Sequence, residues 1–208
     1  GFRIAHVEAG LRSFNRAMPE EINRVVADHL SDRLFCPGTT AVKNLAMEGI
    51  TRGVFDVGDV MADILMFAAP RARERSRILT DLGLTPGRYV LATIHRAENT
   101  DDRDRLKSIV EALAALEETV VFPVHPRTHK ALEACGVFRD PNRKSRLRMI
   151  EPVGYLDMVM LEQSARMILT DAGGVQKEAY WLGVPCLTLR SETEWVETVA
   201  AGWNMLVN

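Results

Sequence analysis

Residues 168–178 read ILTDAGGVQKE and combine features that suit a phosphorylated ligand. The pair Gly173 and Gly174 opens a predicted helix directly after a predicted strand. Glycines let backbone N–H groups approach a ligand closely, and a helix N-terminus favours an anion such as a diphosphate. Glu178, on the first turn or just beyond, could accept both hydroxyls of a ribose. A tight strand-to-helix turn would also explain the glycine pair, so the pattern alone leaves both readings open.

Two further strand ends carry histidine and arginine. His95 and Arg96 lie in ATIHRAEN, residues 92–99, and His125 and Arg127 lie in FPVHPRTH, residues 122–129. A histidine with a pKa near ~6.5 can act as an acid or as a phosphate partner. The charge around His95 favours a functional role over a structural hydrogen bond. His125 with Arg127 indicates either a second anion-binding spot or a solvated loop.

Carboxylates near the N-terminus could act with a histidine in proton transfer. Glu8 closes the apolar run of HVEAGLR, residues 6–12, and the MPEEINR segment places Glu20 and Glu21 in the first turn of a helix. Two carboxylates and a histidine can move protons on carbon and oxygen of a sugar. Complementarity to the helix dipole is the competing explanation for Glu20 and Glu21. We find no metal-ligand spacing, phosphate-binding P-loop or GxSxG motif.

Short β-branched runs alternate with longer amphipathic stretches, which predicts an α/β fold with parallel sheets covered by helices on both faces. In such sheets, ligands bind at the carboxyl ends of the strands. The predicted strands are Arg3–Val7, Arg33–Cys36, Val54–Val57, Tyr89–Ile94, Val120–Val124, Leu147–Ile150, Met167–Thr170 and Cys186–Leu189. The predicted helices are Glu20–Leu30, Thr40–Glu48, Arg71–Leu82, Arg103–Glu118, His129–Ala134, Leu156–Gln163, Val175–Leu182 and Trp195–Ala200.

The predicted elements divide into two parts. The stretch from Gly58 through Pro70 to Gly87 precedes the strongest strand and suggests an interdomain crossing. The part before it holds only about three strands, fewer than the ~5–6 of a doubly wound domain. The sequence also begins inside the apolar run GFRIAHV without a Met, so we expect upstream residues to be absent. A small, complete N-terminal lobe is the alternative.

Composition excludes several classes of partner. The 208 residues carry a formal net charge of −2, which gives no general attraction to nucleic acid or to an anionic membrane. No apolar run reaches the ~20 residues that span a bilayer, and no signal pattern is present. Cys36 and Cys186 lie in apolar runs and are predicted to be buried free thiols, which suits a reducing compartment. We therefore expect a cytoplasmic protein.

Seven motifs in a fixed order carry a family resemblance. HVEAGLR, PEEINR, GDVMAD, HRAEN, PVHPR, TDAGGVQKEA and LGVPCLTLRSETEW span essentially the whole chain. Together they resemble the non-hydrolysing UDP-N-acetylglucosamine 2-epimerases. That resemblance implies a glycosyltransferase-B-like fold, with a nucleotide-sugar between two Rossmann-like domains of which the N-terminal one is incomplete. Residues 1–57 would be the end of the N-terminal domain, and residues 58–208 a UDP-binding domain that lacks its last helices.

The resemblance also implies a reaction. The family interconverts UDP-GlcNAc and UDP-ManNAc without NAD or a metal, so no cofactor is expected. UDP is thought to be eliminated to give a 2-acetamidoglucal and to add back after C2 is protonated on the other face. The product would supply precursors of cell-surface polysaccharide, and the family implies a homodimer. The partner is a UDP-sugar, with neither nucleic acid nor membrane involved.

Individual roles follow from matching positions. Glu8, Glu20 and His95 correspond to catalytic residues of the family. Other matching positions contact the substrate: Val153 and Met158 border the uracil, Gly173 and Gly174 the diphosphate, and Glu178 the ribose. The predicted substrate-binding residues are Arg24, Arg96, His125, Val153, Met158, Ala172, Gly173, Gly174, Glu178 and Trp195.

Two departures from the family pattern leave the substrate open. Ala172 stands where the family has Ser, which removes a phosphate hydrogen bond worth ~1–3 kcal/mol. Trp195 stands where better-known members have Arg, and TEWVE is similar both to the branch that acts on UDP-2,3-diacetamido-glucuronate and to some UDP-GlcNAc enzymes. Trp195 could instead be a core residue. The alternatives are that branch, a glycosyltransferase, and an inactive truncated UDP-sugar-binding module; the paired carboxylate motifs argue against the glycosyltransferase.

Overall fold

A computed structural model describes residues 1–136 and 146–207 of the chain. These residues form two compact units. The first unit comprises Gly1–Ile64 and Glu192–Glu194, and the second comprises Leu65–Ser191 and Trp195–Asn208. None of the helices in the described ranges is both long and apolar enough to cross a membrane.

The first unit is built on a three-stranded parallel sheet. Strands β1 (Ala5–Val7), β2 (Arg33–Cys36) and β3 (Val54–Asp56) lie in the order β1-β2-β3. Helices α1 (Pro19–Leu30) and α2 (Thr39–Met47) form the two crossover connections. Parallel neighbours require such crossovers, because a hairpin can join only antiparallel strands.

The second unit contains a six-stranded sheet whose strands all run parallel, in the order β6-β5-β4-β7-β8-β9. Its strands are β4 (Tyr89–Thr93), β5 (Thr119–Pro123), β6 (Leu147–Ile150), β7 (Met167–Thr170), β8 (Cys186–Thr188) and β9 (Asn204–Leu206). The remaining helices are α3 (Val60–Arg75), α4 (Ile78–Asp81), α5 (Ala97–Thr100), α6 (Arg103–Ala115), α7 (Pro126–Ala134), α8 (Tyr155–Ser164), α9 (Gly173–Leu182) and α10 (Val196–Ala200).

Helices cover both faces of this sheet, as the sequence predicts. All five residues of β4 are buried. Val90 and Ala92 face a cluster that includes Leu106 and Val110 of α6. Their neighbours Tyr89 and Leu91 instead join a cluster with side chains of α8 and α9. A strand that is covered on both faces has no polar alternation, which explains the continuous apolar run YVLATI.

The strand order reverses between β4 and β7. From β4 the chain winds outward through β5 and β6, then returns to the other side of β4 and continues through β7, β8 and β9. The loops that follow β4 and β7 therefore leave the sheet in opposite directions and open a crevice between them. Such a switch point is where open α/β sheets bind ligands.

The structure differs from the predicted elements between Gly58 and Leu82. The sequence predicts a helix only from Arg71 to Leu82, after the first part of the interdomain crossing. Helix α3 instead spans Val60–Arg75 with Pro70 inside it. Its residues Leu65, Ala68, Ala69 and Ala72 are buried against Val159 of α8, and this packing outweighs the hydrogen bond that Pro70 cannot donate. The sequence also left α5 and β9 unpredicted, and both are short.

The two cysteines predicted to be buried are buried free thiols. Burial raises the pKa of Cys36 to about 11 and that of Cys186 to about 12. A thiol with a raised pKa holds little thiolate at neutral pH and is unreactive.

Candidate active site

A buried aspartate joins the loops that follow β4 and β7. Asp171 is 0% exposed and accepts hydrogen bonds from the backbone N–H of His95 at 3.0 and 3.1 Å and from that of Arg96 at 3.0 Å. The side-chain amide of Asn99 donates a further bond at 2.9 Å. The backbone of the histidine loop is thus held directly against the start of α9.

Asp171 and Asn99 were not among the predicted site residues. Asn99 also donates to the carbonyl of Leu189 and accepts from Nε of Arg105, so it connects the histidine loop to the residue that follows β8 and to α6. The usable signal was the position of Asp171: a carboxylate directly after a buried strand and before two glycines needs a partner.

His95 is half-buried above this carboxylate. Its Nδ1 lies 3.5 Å from Oδ1 of Asp171, and its ring centre lies 5.7 Å from that of His125. Burial lowers the pKa of His95; Asp171 opposes the shift, and His125, Arg96 and Arg127 reinforce it. His95 is therefore a neutral imidazole at pH 7, able to take up a proton when a negative charge arrives.

His125 and Arg127 make local contacts. His125 is exposed at the N-cap of α7, where its Nδ1 accepts from the backbone N–H of Arg127. The guanidinium of Arg127 forms two hydrogen bonds with Asp101, at 2.8 and 2.9 Å. The pKa of Asp101 is lowered by these bonds. The positive charge of Arg127, the cation nearest to His125 in the sequence, is thus already balanced by the carboxylate of Asp101.

The N-terminus of α9 lies at the same switch point and has no side-chain cap. Ala172 occupies the N-cap position, and its methyl side chain has no acceptor atom. By contrast, the N-cap residue of α6, Asp102, accepts from two backbone N–H groups of its helix. The first N–H groups of a helix have no intrahelical partner. Those at Gly173 and Gly174 are therefore suited to an anion.

Glu178 lies on the second turn of α9 and is 5% exposed. The hydroxyl of Tyr155 donates a 2.9 Å hydrogen bond to its Oε1. Burial raises the pKa of Glu178, and the hydrogen bonds from Tyr155 and Glu162 partly oppose that shift. The carboxylate is thus held in place by Tyr155 before any ligand binds.

The predicted uracil-bordering residues and Trp195 also lie in the second unit. Val153 and Met158 are half-buried and pack against the cluster on the α8–α9 face. Trp195 is 3% exposed, and the ammonium of Lys177 lies 3.6 Å from its ring centre and 5.0 Å from that of Trp181. The indole stacks on a cation of α9, which is a more specific contact than apolar packing.

In the first unit, Glu8 adopts a strained backbone conformation directly after β1. Its φ is +71°, a region that few non-glycine residues occupy. The N–H groups of Glu8 and Ala9 both donate to the carbonyl of Phe35. Strain of this kind persists where surrounding contacts impose it, and it concentrates at functional sites.

The following residue Gly10 fixes the same loop. Its φ is +80°, and a Cβ at this position would lie 2.4 Å from the carbonyl oxygen of Ala41, so only glycine fits. Its N–H donates to Asp28 and its carbonyl accepts from the side chain of Asn44. The carboxylate of Glu8 is consequently presented by a loop that is tied to α1 and α2.

The two adjacent glutamates of α1 have different environments. Glu21 is buried and accepts hydrogen bonds from the N–H groups of Ser13 and Phe14, so it holds the preceding loop. Glu20 is exposed in the first turn. Arg24 lies 3.5 Å from Glu21 as an i,i+3 pair. Of the two carboxylates, only Glu20 remains on the surface for chemistry.

The structure therefore places the predicted residues in two groups. The carboxyl ends of neighbouring strands bring together His95, Arg96, His125 and the Ala172–Gly174 turn, with Glu178 further along α9. The first unit carries Glu8, Glu20 and Arg24.

Comparison with known proteins identifies the family. A sequence profile described as UDP-N-acetylglucosamine 2-epimerase matches residues 1–208. The chain belongs to this family. The resemblance predicted from the ordered motifs is confirmed, and the match covers both units.

Individual relatives share a large fraction of the sequence. A UDP-N-acetylglucosamine 2-epimerase homolog of Methanococcus maripaludis is 55% identical over 99% of this chain and 58% of its own length. The UDP-2,3-diacetamido-2,3-dideoxy-D-glucuronate 2-epimerase of Pseudomonas aeruginosa is 50% identical over 98% of this chain and 56% of its own. The chain thus spans less than two thirds of the length of these relatives.

A solved structure supports the fold. The UDP-GlcNAc 2-epimerase of Methanocaldococcus jannaschii, in complex with UDP-GlcNAc and UDP, matches with a TM-score of 0.92 at 45% identity. The match covers 99% of this chain and 58% of that one. The predicted α/β, glycosyltransferase-B-like fold class is confirmed.

Proposed function

We propose that the chain binds UDP at the β4–β7 switch point and belongs to an enzyme that epimerises C2 of a UDP-2-acetamido sugar. One observation carries this proposal: the buried carboxylate of Asp171 joins the His95 loop to the uncapped N-terminus of α9, with Glu178 further along that helix. This arrangement offers N–H groups and an imidazole to a diphosphate and a carboxylate to a ribose.

The nucleotide would lie along α9 and α8. The diphosphate would accept hydrogen bonds from Gly173 and Gly174, and His95 would add a further donor once protonated. The ribose hydroxyls would donate to Glu178. The uracil would lie against Val153 and Met158, which offer half-buried apolar surface. Arg96 would contribute positive charge beside the phosphates, and the imidazole of His125 would be a further hydrogen-bonding group there.

The reaction would proceed by elimination and re-addition. A base takes the proton from C2, the C2 electron pair forms the C1–C2 double bond, and UDP departs with the C1–O electron pair. The 2-acetamidoglucal then gains a proton at C2 on the opposite face, and the diphosphate oxygen forms a new bond to C1. We assign the acid and base roles to Glu8 and Glu20, with Arg24 as a substrate contact. His95 stabilises the charge on the departing diphosphate.

The wider assignments of the protein are also proposals. Residues 1–57 and 58–208 would belong to the N-terminal domain and to the UDP-binding domain. The enzyme would need no cofactor, would be a cytoplasmic homodimer, and would supply precursors for surface polysaccharide. The net charge of −2 argues against nucleic acid as a partner.

A second substrate is favoured by one feature of the site. Lys177 is a nearly buried cation on α9 and stacks on Trp195, at the position where the sequence departs from better-known members. The relative from Pseudomonas aeruginosa is named for that substrate. Parallel assays with UDP-GlcNAc and UDP-2,3-diacetamido-glucuronate would decide between the two.

Proton NMR of UDP-GlcNAc incubated with the chain in D2O tests the proposed function. Deuterium at C2 together with UDP-ManNAc is the expected result for an epimerase, and His95→Ala should abolish both. Saturation transfer to the uridine protons without deuterium exchange would instead indicate a binding module. Glu178→Ala is expected to weaken UDP binding by on the order of tenfold, equivalent to ~1.4 kcal/mol. No saturation transfer and no exchange would contradict the proposal.

UDP binding is expected to be coupled to proton uptake by His95. The free imidazole has a lowered pKa, and an adjacent diphosphate would raise that pKa by favouring the cation. At a pH between the pKa of His95 in the free protein and its pKa in the complex, the complex holds one more proton than the free protein. UDP affinity therefore rises as the pH falls through this range. Titration calorimetry at pH 6.5 in two buffers of different ionisation enthalpy measures the uptake.

His95→Gln is the matched control for that measurement, because UDP brings its own phosphate ionisation to both proteins. The variant should bind UDP with a smaller proton uptake than the wild type. Equal proton uptake in the two proteins would remove His95 from contact with the diphosphate.

A further inference from the structure

A second carboxyl group lies behind Glu178. Glu162, on α8, is 0% exposed. Among the described residues, no N–H or hydroxyl group donates a hydrogen bond to either of its Oε atoms. The carboxyl group of Glu178 lies beside it, and the negative charge of Glu178 helps to raise the pKa of Glu162. Two carboxyl groups can share a hydrogen bond only if one of them carries a proton.

Among residues 1–136 and 146–207, no cation contributes to the charge environment of Glu162. The titratable groups with which it interacts electrostatically are Glu178, Tyr155, Tyr89 and Cys186, from α9, α8, β4 and β8. The hydroxyl of Tyr89 donates to the carbonyl of Leu161 rather than to the carboxyl. Each of these groups is neutral or negative at pH 7. A second charge on the pair would therefore be both buried and repelled.

The proton belongs on Glu162. Burial and then the charge of Glu178 raise the pKa of Glu162 well above its usual range. Glu178 is the better anion, because the hydroxyl of Tyr155 donates to it. The protonated Glu162 can then donate the second hydrogen bond.

We propose that Glu162 is a positioning residue: it remains protonated and, together with Tyr155, holds Glu178 in the orientation that receives the two hydroxyls of a nucleoside ribose. A carboxylate offers about four lone-pair sites. Tyr155 and Glu162 occupy two of them, which leaves two for the vicinal diol. This inference rests on the proposed UDP site, and it explains why an acid without a conventional partner is buried beside that site.

Two substitutions of nearly equal volume separate positioning from packing. Glu162→Gln keeps a hydrogen-bond donor toward Glu178, whereas Glu162→Met fills the same space without one. We expect Glu162→Gln to bind UDP within about twofold of the wild type at pH 7, and Glu162→Met to bind on the order of tenfold more weakly. Thermal melts are expected to show that both variants are folded.

The pH dependence of UDP affinity also separates the two roles, because a residue that acts only by packing would not change it. Wild-type affinity should fall as pH rises through the raised pKa of Glu162, because the donor is lost and a second negative charge appears. The amide of Glu162→Gln does not titrate, so that fall should be absent from its profile. Equal Kd values for Glu162→Met and the wild type at pH 7, or the same alkaline fall in Glu162→Gln, would overturn the proposal.

Infrared difference spectroscopy detects the proton without any nucleotide. The wild type at pH 7 should show the C=O stretch of a protonated carboxylic acid, absent in Glu162→Gln and retained in Glu178→Gln. A band that persists in Glu162→Gln, or that disappears only in Glu178→Gln, would place the proton elsewhere and contradict the inference. If the wild type fails to bind UDP, the proposed function and the ribose contact fail together, while this band still decides the state of Glu162.

Discussion

Replacement of Asp171 by Ala is expected to destabilise the second unit by about 3–5 kcal/mol, because a buried charge that is removed leaves its partners unsatisfied. Asp171 accepts from the backbone N–H groups of His95 and Arg96 and from the amide of Asn99, all within 3.1 Å. The same substitution frees the loop that carries His95. UDP affinity should therefore fall even where the variant remains folded.

Tryptophan fluorescence during urea unfolding measures this effect in the correct unit. The three tryptophans of the sequence, Trp181, Trp195 and Trp203, all lie in the second unit. Asp101→Asn is the matched control, since Asp101 is an exposed carboxylate beside the same loop whose ion pair with Arg127 lies at the surface. It should leave the stability of the second unit essentially unchanged, because solvent screens an exposed ion pair. A loss of similar size in the two variants would show that Asp171 does not hold the loop.

The second large effect is expected for Asp28→Ala in the first unit. Asp28 is 1% exposed and accepts from Nη1 of Arg12 at 2.7 Å, from the N–H of Gly10 at 3.1 Å, and contacts Nδ1 of His6 at 2.6 Å. Arg12 is itself buried, with Glu48 as its other carboxylate partner. Removal of Asp28 leaves a buried guanidinium with half of its counter-charge, at a cost of about 3–5 kcal/mol.

Native-state hydrogen exchange resolves this change, because the first unit contains no tryptophan among its described residues. Amides of β1, β2 and the Glu8–Gly10 loop should lose protection in Asp28→Ala, while those of the six-stranded sheet should not. Asp56→Asn, at an exposed position that ends β3, serves as the control and should leave exchange unchanged. Unchanged protection of β1 and β2 in Asp28→Ala would refute the structural role of this ion pair.

Most of the strands and helices could be predicted from the local sequence. Runs such as YVLAT predicted strands because a doubly covered parallel strand is apolar throughout, and the predicted strands coincide closely with β1 to β8. Helix α3 was misjudged because Pro70 is a strong local signal against a helix, whereas the burial of Leu65, Ala68 and Ala72 depends on contact with α8. Short elements such as α5 lack the length to show a period.

The sequence by itself determined the family, the α/β class and the loops that carry the candidate site, because each of these is written in contiguous motifs. Only the tertiary structure decided which polar residues act together. The carboxylate of Asp171 accepts a hydrogen bond from the backbone of His95, although the two residues are 76 positions apart in the sequence. Likewise, Glu21 rather than Glu20 is buried against the loop that precedes α1. The pairing of a protonated Glu162 with the carboxylate of Glu178 depends on the packing of α8 against α9, which buries the two carboxyl groups side by side. Desolvation and long-range hydrogen bonds arise from the folded chain, so no local pattern could predict them.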